Sequence, residues 1–200
     1  MKIFKSLKNT SRQQRGFTLL EIIVGLVLLG ILAVAVTGSF DGSRSRAQSL
    51  LSQMNEFKSA NIRLKQDTGC YALNAALLFD PRQADVTASN SCAKQLGRTY
   101  NGPYMQAFPL STDDPTAAAI DKVSPQARVN FLAASTAGTE AFAGRRIYIL
   151  EASDVEEDVV RAFLVECNGE DTNRTTFDGR TQCYGNAATG AVQIVMDVTR

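Results

Sequence analysis

QQRGFTLLEIIVGLVLLGILAVAVTGSF, residues 13–40, contains a run at 17–38 of 22 residues with a single charge, Glu21. As an α-helix that run would extend roughly 33 Å, enough to cross the hydrocarbon core of a bilayer. Five cations (Lys2, Lys5, Lys8, Arg12 and Arg15) and no acid precede it. By the positive-inside rule they hold the N-terminus in the cytoplasm and send the rest of the chain outward. A cleaved secretory signal is the competing reading, with Ala33-Val34-Ala35 as a small-x-small cleavage site. Against it, the apolar run exceeds the roughly 7–15 residues of a signal's apolar region. A signal also has no use for Glu21. Thr18-Leu19-Leu20-Glu21 fits a capping box, in which the Thr and Glu side chains satisfy free amides at a helix start. That gives the glutamate a local purpose but leaves the Gly16-Phe17 junction before it unexplained.

The whole chain narrows the choice. Its 200 residues are 44% apolar and 20% charged, an ordinary globular composition. There is no histidine, which excludes Ser-His and Cys-His nucleophile pairs and every His-containing metal site. The net charge of +1 conceals an asymmetry: without the five leader cations, 16 basic side chains face 20 acidic ones. The body is mildly acidic, and no dense basic patch points to nucleic acid. Cys70, Cys92, Cys167 and Cys183 lack Cys-x-x-Cys spacing. Behind an export-type segment, they read as two disulfides in an oxidising compartment.

Gly16-Phe17-Thr18-Leu19-Leu20-Glu21, after a basic leader and before about twenty apolar residues, resembles the class III signal of type IV pilins and type II secretion pseudopilins. The resemblance implies that a membrane aspartyl prepilin peptidase cuts between Gly16 and Phe17. Phe17 would then be N-methylated, and Glu21 would be the family's assembly glutamate. It implies a substrate of that peptidase rather than an enzyme. The family often carries proline at the position of Gly38, so Gly30 and Gly38 are candidates for helix melting on assembly.

Beyond the apolar run, Ala47, Leu50, Met54, Phe57, Ala60 and Leu64 recur every three or four residues, a helical stripe. Asp67-Thr68-Gly69 supplies its stop, and Asp41-Gly42-Ser43 a bend between the two halves. Residues 68–145 are less legible. TGCYALNAALLFDP (68–81) fits a short helix ended by Asp80-Pro81, and DPRQADVTASNSC (80–92) reads as loop. Asn101-Gly102-Pro103 and Ser111-Thr112-Asp113-Asp114-Pro115 are turn chemistry. Gly102-Pro103-Tyr104-Met105 and Phe108-Pro109-Leu110 are similar to the post-helix region of major pseudopilins, although Ala72 stands where that family commonly has proline. RRIYILEA (145–152) and VVRAFLVEC (159–167) read as strands around an acidic hairpin turn, SDVEED. AVQIVMDV (191–198) alternates, with Val192, Ile194, Met196 and Val198 on one face and Gln193 and Asp197 opposite. NGEDTNRTTFDGRTQCYGN (168–186) reads as the loop before it.

Four cysteines allow three connectivities. Their placement at loop edges favours Cys70 with Cys92 and Cys167 with Cys183, each closure worth on the order of 3 kcal/mol. The second loop resembles the disulfide-bounded region of type IV pilins. No metal is expected; Asp171, Asn173, Thr175 and Asp178 offer oxygen ligands, but the turn glycine and terminal glutamate of a calcium loop are missing. Glu156, Glu157 and Asp158 read as a solvated turn rather than a glycosidase pair. Asn173-Arg174-Thr175 matches a glycosylation sequon, as does Asn9-Thr10-Ser11 in the leader.

The expectation is an α+β, pilin-like chain. Residues 1–16 form a cleaved leader, 17–38 a transmembrane and filament-core helix, and 39–67 its amphipathic continuation. Residues 68–200 form a head with a C-terminal antiparallel sheet. The implied function is polymerisation as a type IV pilus subunit, with a type II secretion pseudopilin as the alternative and a secreted or membrane-anchored binding module further off. A hydrolase would need a catalytic set that no motif provides. Identical or homologous subunits, the prepilin peptidase and an inner-membrane assembly machinery are the implied partners. No cofactor is implied. The chain would sit in the inner membrane first and in an extracellular filament afterwards.

Overall fold

In a computed structural model the described residues are 19–20, 22–28, 42–135, 146–170, 172–175 and 181–199. The chain divides into two compact units, Met1–Asp41 and Gly42–Arg200. In the first, residues 19–20 and 22–28 are helical. Among the described residues, no helix is long and apolar enough to cross a membrane.

The second unit is built on a 27-residue helix, α1 (Gly42–Thr68). Its stripe of Ala47, Leu50, Met54, Phe57, Ala60 and Leu64 is completely buried, so the 3.6-residue period decides which side of α1 meets the core. The helix stops where Gly69 adopts φ +76°, with its N–H donating to Lys65 O at 2.7 Å. That left-handed conformation costs glycine no Cβ clash.

Five antiparallel strands form one sheet in the order β1-β2-β3-β5-β4. They are β1 (Ala118–Ala119), β2 (Arg128–Ser135), β3 (Arg146–Ser153), β4 (Cys183–Asn186) and β5 (Ala191–Thr199). Phe57 of α1 meets Phe131 of β2 and Phe108 edge-on, with ring centroids 5.7 and 5.1 Å apart. Val129, Leu150, Ala152, Val192 and Ile194 continue that core across the sheet. The C-terminal strand lies inside the sheet, between β3 and β4.

The structure corrects several expectations. Residues 159–167 are not a strand: they belong to helix α2 (Glu157–Asn168). Its buried residues Val159, Val160, Phe163 and Leu164 fall at i, i+1, i+4 and i+5, one helical face. Glu157 and Asp158 occupy its first turn, where the helix dipole favours acids, and Gly169 closes it at φ +81°. The acidic stretch therefore starts a helix instead of turning a hairpin. The sheet has five strands because β2, β4 and the two-residue β1 join the two expected strands that remain. Cys183 opens β4, so part of the expected final loop is strand.

In the middle region, Ala75–Leu78 is a 3-10 helix capped by Asn74, whose side chain accepts from the Ala76 N–H at 2.9 Å. Further 3-10 turns at Pro81–Asp85 and Thr87–Ser89 replace the expected loop.

Candidate functional site

Two places stand out: the N-terminal helical turns, to which the sequence pointed, and the junction of α1 with β5, to which it did not. In the first, the large apolar side chains of residues 19–28 are exposed, from 49% at Val24 to 77% at Leu19. They surround the helix on all sides. A helix apolar all round is stable only when lipid or protein encloses it. This surface is therefore incomplete in the isolated chain. Gly16, Phe17, Glu21, Gly30 and Gly38 lie outside the described residues.

The junction is built by an irregularity in β5. Tyr148 pairs with Asp197 but Ile149 pairs with Val195, so Met196 is one extra residue, a bulge. Before the bulge, Val192 and Ile194 face the core as alternation predicts. After it the parity reverses, and Asp197 turns onto the side of α1. There its carboxylate accepts from Lys65 Nζ at 2.7 Å and from the Tyr71 hydroxyl. Lys58, two turns earlier on α1, donates to Val195 O at 3.0 Å, beside the bulge. The Tyr71 ring stacks on Tyr148 with centroids 3.9 Å apart, and Lys65 lies 5.1 Å from the Tyr71 centroid.

Charge and burial set the protonation of this cluster. Burial pushes the Asp197 carboxyl up, but the hydrogen bonds from Lys65 and Tyr71 outweigh it and hold the group below its ordinary value. Lys65 is raised, chiefly by its hydrogen bond to Asp197. Tyr71 is pushed up to about 12, first by burial and then by its bond to Asp197. Lys58 moves down because burial disfavours its charge. Lys65 and Asp197 neutralise one another, while Lys58 rests on a carbonyl oxygen. The cluster is a clasp between helix and strand.

A second set of contacts ties α1 to α2. Arg44 pairs with Glu166, which also accepts from Gln48 Nε2 at 3.1 Å, while Arg46 reaches Glu156 at 2.8 Å and Val123 O at 3.2 Å. Within the core, Asn61 is fully buried yet satisfied: it accepts from the Ala72 N–H at 2.8 Å and donates back to Ala72 O at 3.3 Å. This exchange fixes the chain as it leaves the helix. Tyr104 likewise donates to Asp67 at 3.0 Å.

Cys70 is bonded to Cys92, and Cys167, in the last turn of α2, to Cys183 at the start of β4. The oxygen ligands do not come together as a described site, since Asp171 and Asp178 lie outside the described residues. Asn173 Oδ1 accepts from the Ala187 N–H at 3.0 Å. Among the described residues, no group of three or more Cys, Asp or Glu side chains could hold a metal. Sequence reasoning missed the clasp, because strict alternation put Asp197 on the far face. The signal that would have found it is Lys58 and Lys65, seven residues apart on one helix face.

Residues 11–37 match the family model described as the prokaryotic N-terminal methylation motif. Type II secretion system core protein G of Klebsiella pneumoniae is 33% identical over 117 residues, 57% of this chain and 77% of that protein. Its namesake from Dickeya chrysanthemi is 41% identical over 61 residues, 26% of this chain and 40% of that protein. No solved structure matches the chain.

Proposed function

We propose, given that this chain belongs to the family of type IV pilins and type II secretion pseudopilins, that it is the pseudopilin subunit of a type II secretion filament. The likeness to core protein G over 77% of that protein's length carries the choice. It favours the pseudopilin over the pilus reading that the sequence put first. Membership of this family implies assembly with homologous subunits and a structural rather than enzymatic role.

In this reading the chain is made as a membrane-anchored precursor, with 17–38 spanning the inner membrane and the leader cations in the cytoplasm. A prepilin peptidase removes residues 1–16 between Gly16 and Phe17, leaving 184 of 200 residues, and Phe17 is N-methylated. The new amino group lies one helical turn from Glu21. A lone carboxylate at the centre of a membrane helix costs about 2.5–3.5 kcal/mol on insertion scales, and less near the interface. Pairing with an ammonium offsets that cost. Within a low-dielectric filament core, an unpaired Glu21 is penalised and a paired one favoured. An incoming subunit thus seats when its Glu21 meets Phe17 of the subunit ahead. The same apolar surface serves lipid before assembly and neighbouring helices afterwards, with Gly30 and Gly38 as the places where the helix extends. Inner-membrane assembly machinery drives the exchange.

The test is to delete the native copy in the host and restore it from a plasmid. Secretion of extracellular enzymes should stop and then recover, and the purified protein should begin at N-methylated Phe17. Intact secretion in the deletion strain, or a mature N-terminus at Val36, would overturn the reading. One observation favours a type IV pilus instead: the disulfide Cys167–Cys183 bounds a loop like the one at the C-terminus of pilins. Loss of long surface filaments with secretion untouched would select that reading.

A further inference from the structure

The two flanks of α1 are not alike. On one, Gln48 reaches Glu166 near the C-terminal end of α2. Gln53, five residues on, is about 140° round the helix, and on its side the chain leaves a groove. The groove holds about 280 Å³ and is lined by Gln53, Phe108, Pro109, Ile120, Asp121 and Lys122. Its floor at Ala119 of β1 is a small side chain. Its rim carries one acid and one base, Asp121 and Lys122, both exposed and in no ion pair among the described residues. Elsewhere, Arg44, Arg46, Lys65, Arg128 and Arg161 are all paired within the chain. One acceptor at the groove, Gln53 Oε1, is buried without a donor among the described residues.

On the other flank stands a ridge. Glu157, Arg161, Val165 and Gly169 recur every four residues and are all exposed. Val165 is 43% exposed, one of three large apolar side chains left uncovered on the described head. Arg161 pairs with Glu157 at 2.8 Å on that surface. The ridge is convex and apolar at one end with an acid and a base behind it. The groove is concave and apolar with an acid and a base on its rim.

Resting on the pseudopilin reading, we propose that the α2 ridge of one copy docks in the Phe108–Lys122 groove of the next. Val165 enters between Phe108, Pro109 and Ile120, and the Glu157–Arg161 pair meets Lys122 and Asp121. Such a contact joins two different patches, so it is heterologous. On opposite flanks of one helix it generates an open chain of subunits rather than a closed dimer. The head thereby contributes specificity to a polymer whose apolar N-terminal segment alone carries little. Exposed charges add direction more than affinity.

The experiment uses the full chain in cells with the assembly machinery. Lys122→p-benzoylphenylalanine is irradiated and crosslinked species are mapped, with Arg82→p-benzoylphenylalanine as a control on an exposed site away from the groove. The expected product at position 122 is a homodimer whose second chain is joined through its 162–174 peptide. It should be absent when Glu21→Ala blocks assembly. Filaments that form without this crosslink, or with one to another protein or another peptide, overturn the contact and leave the pseudopilin reading intact. Absence of filaments from the wild-type chain removes that reading and the contact with it. Independently, Val165→Asp should lower filament yield roughly tenfold or more, with thermal unfolding of the purified subunit unchanged. Full yield from that variant also overturns the proposal.

Discussion

Residues 17–38 and the head at 42–199 solve opposite problems, and they were unequally readable for that reason. On the proposed function the N-terminal segment must suit a solvent of hydrocarbon, so nearly every position obeys one constraint. A lone departure, Glu21, is therefore informative. The head must satisfy a core, two helix faces, five strands and two disulfides at once. Each of its residues answers several constraints, and composition dilutes the message. One region is specified by its surroundings, the other by its own contacts.

The largest effect expected from a single substitution tests the first region. Glu21→Ala should still insert and be cleaved, yet abolish filament assembly in cells with no wild-type copy. Pelleted filaments and an N-terminal sequence of the mutant decide it. Normal yield would reduce Glu21 to a helix cap and erase the contrast with the head. In the head, Phe57→Ala should cost about 3–5 kcal/mol of stability in urea unfolding, since it removes a fully buried ring shared by two aromatic neighbours. Cleavage of the leader should be unaffected.

How far the head could be read follows from particular residues. The α1 stripe was legible because six apolar positions keep one helical period without interruption. Gly69 was legible as its stop because the left-handed conformation has a preferred residue. Helix α2 was misread because Val159, Val160 and Val165 have strand propensity, which is weak evidence against tertiary context. Its four buried positions held the right answer in their spacing. Strand β2 was missed because Ala133, Ala134 and Ser135 dilute its pattern. Asp197 was put on the wrong face because a bulge is one residue long and leaves no compositional trace. The family signal at 11–37 was visible because it is local. The groove was not, because it brings Gln53 together with residues from 108 to 122, and the ridge was not, because the helix that carries it read as a strand.

The disulfides sharpen the comparison at an intermediate size. Cys167→Ala with Cys183→Ala should destabilise the head by about 3 kcal/mol on the chain-entropy account, and Cys70→Ala with Cys92→Ala by a similar amount. Denaturant unfolding of each double variant measures this. Peptide mapping without reductant should recover the two sequential pairs; a Cys70–Cys183 peptide would contradict the connectivity.

The smallest effect concerns the clasp, and it depends on pH. Asp197 has its folded pKa depressed, so its contribution is present above the unfolded value of about 3.9 and is lost as pH falls through the folded value. Lys65 has its folded pKa raised, so its share is complete below about 10.4 and is lost only as pH rises through the folded value. Tyr71 is also raised, to about 12, and its neutral hydroxyl donates to Asp197 until that pH is approached. The clasp should therefore hold steady from about pH 5 to 10 and weaken at both ends. More than a third of the Lys65 side chain and about as much of Asp197 is open to water, so the pair is worth about 1 kcal/mol at most. Asp197→Asn should lose roughly that much at pH 7 and progressively less below about pH 4. Lys58, bonded to a carbonyl oxygen, should hold the Val195 end of β5 throughout. Hydrogen exchange in acid should then rise at residues 197–199 before 192–195. Uniform exchange along β5, or a mutant deficit that persists undiminished at low pH, would show that the bulge positions Asp197 without the carboxylate charge contributing.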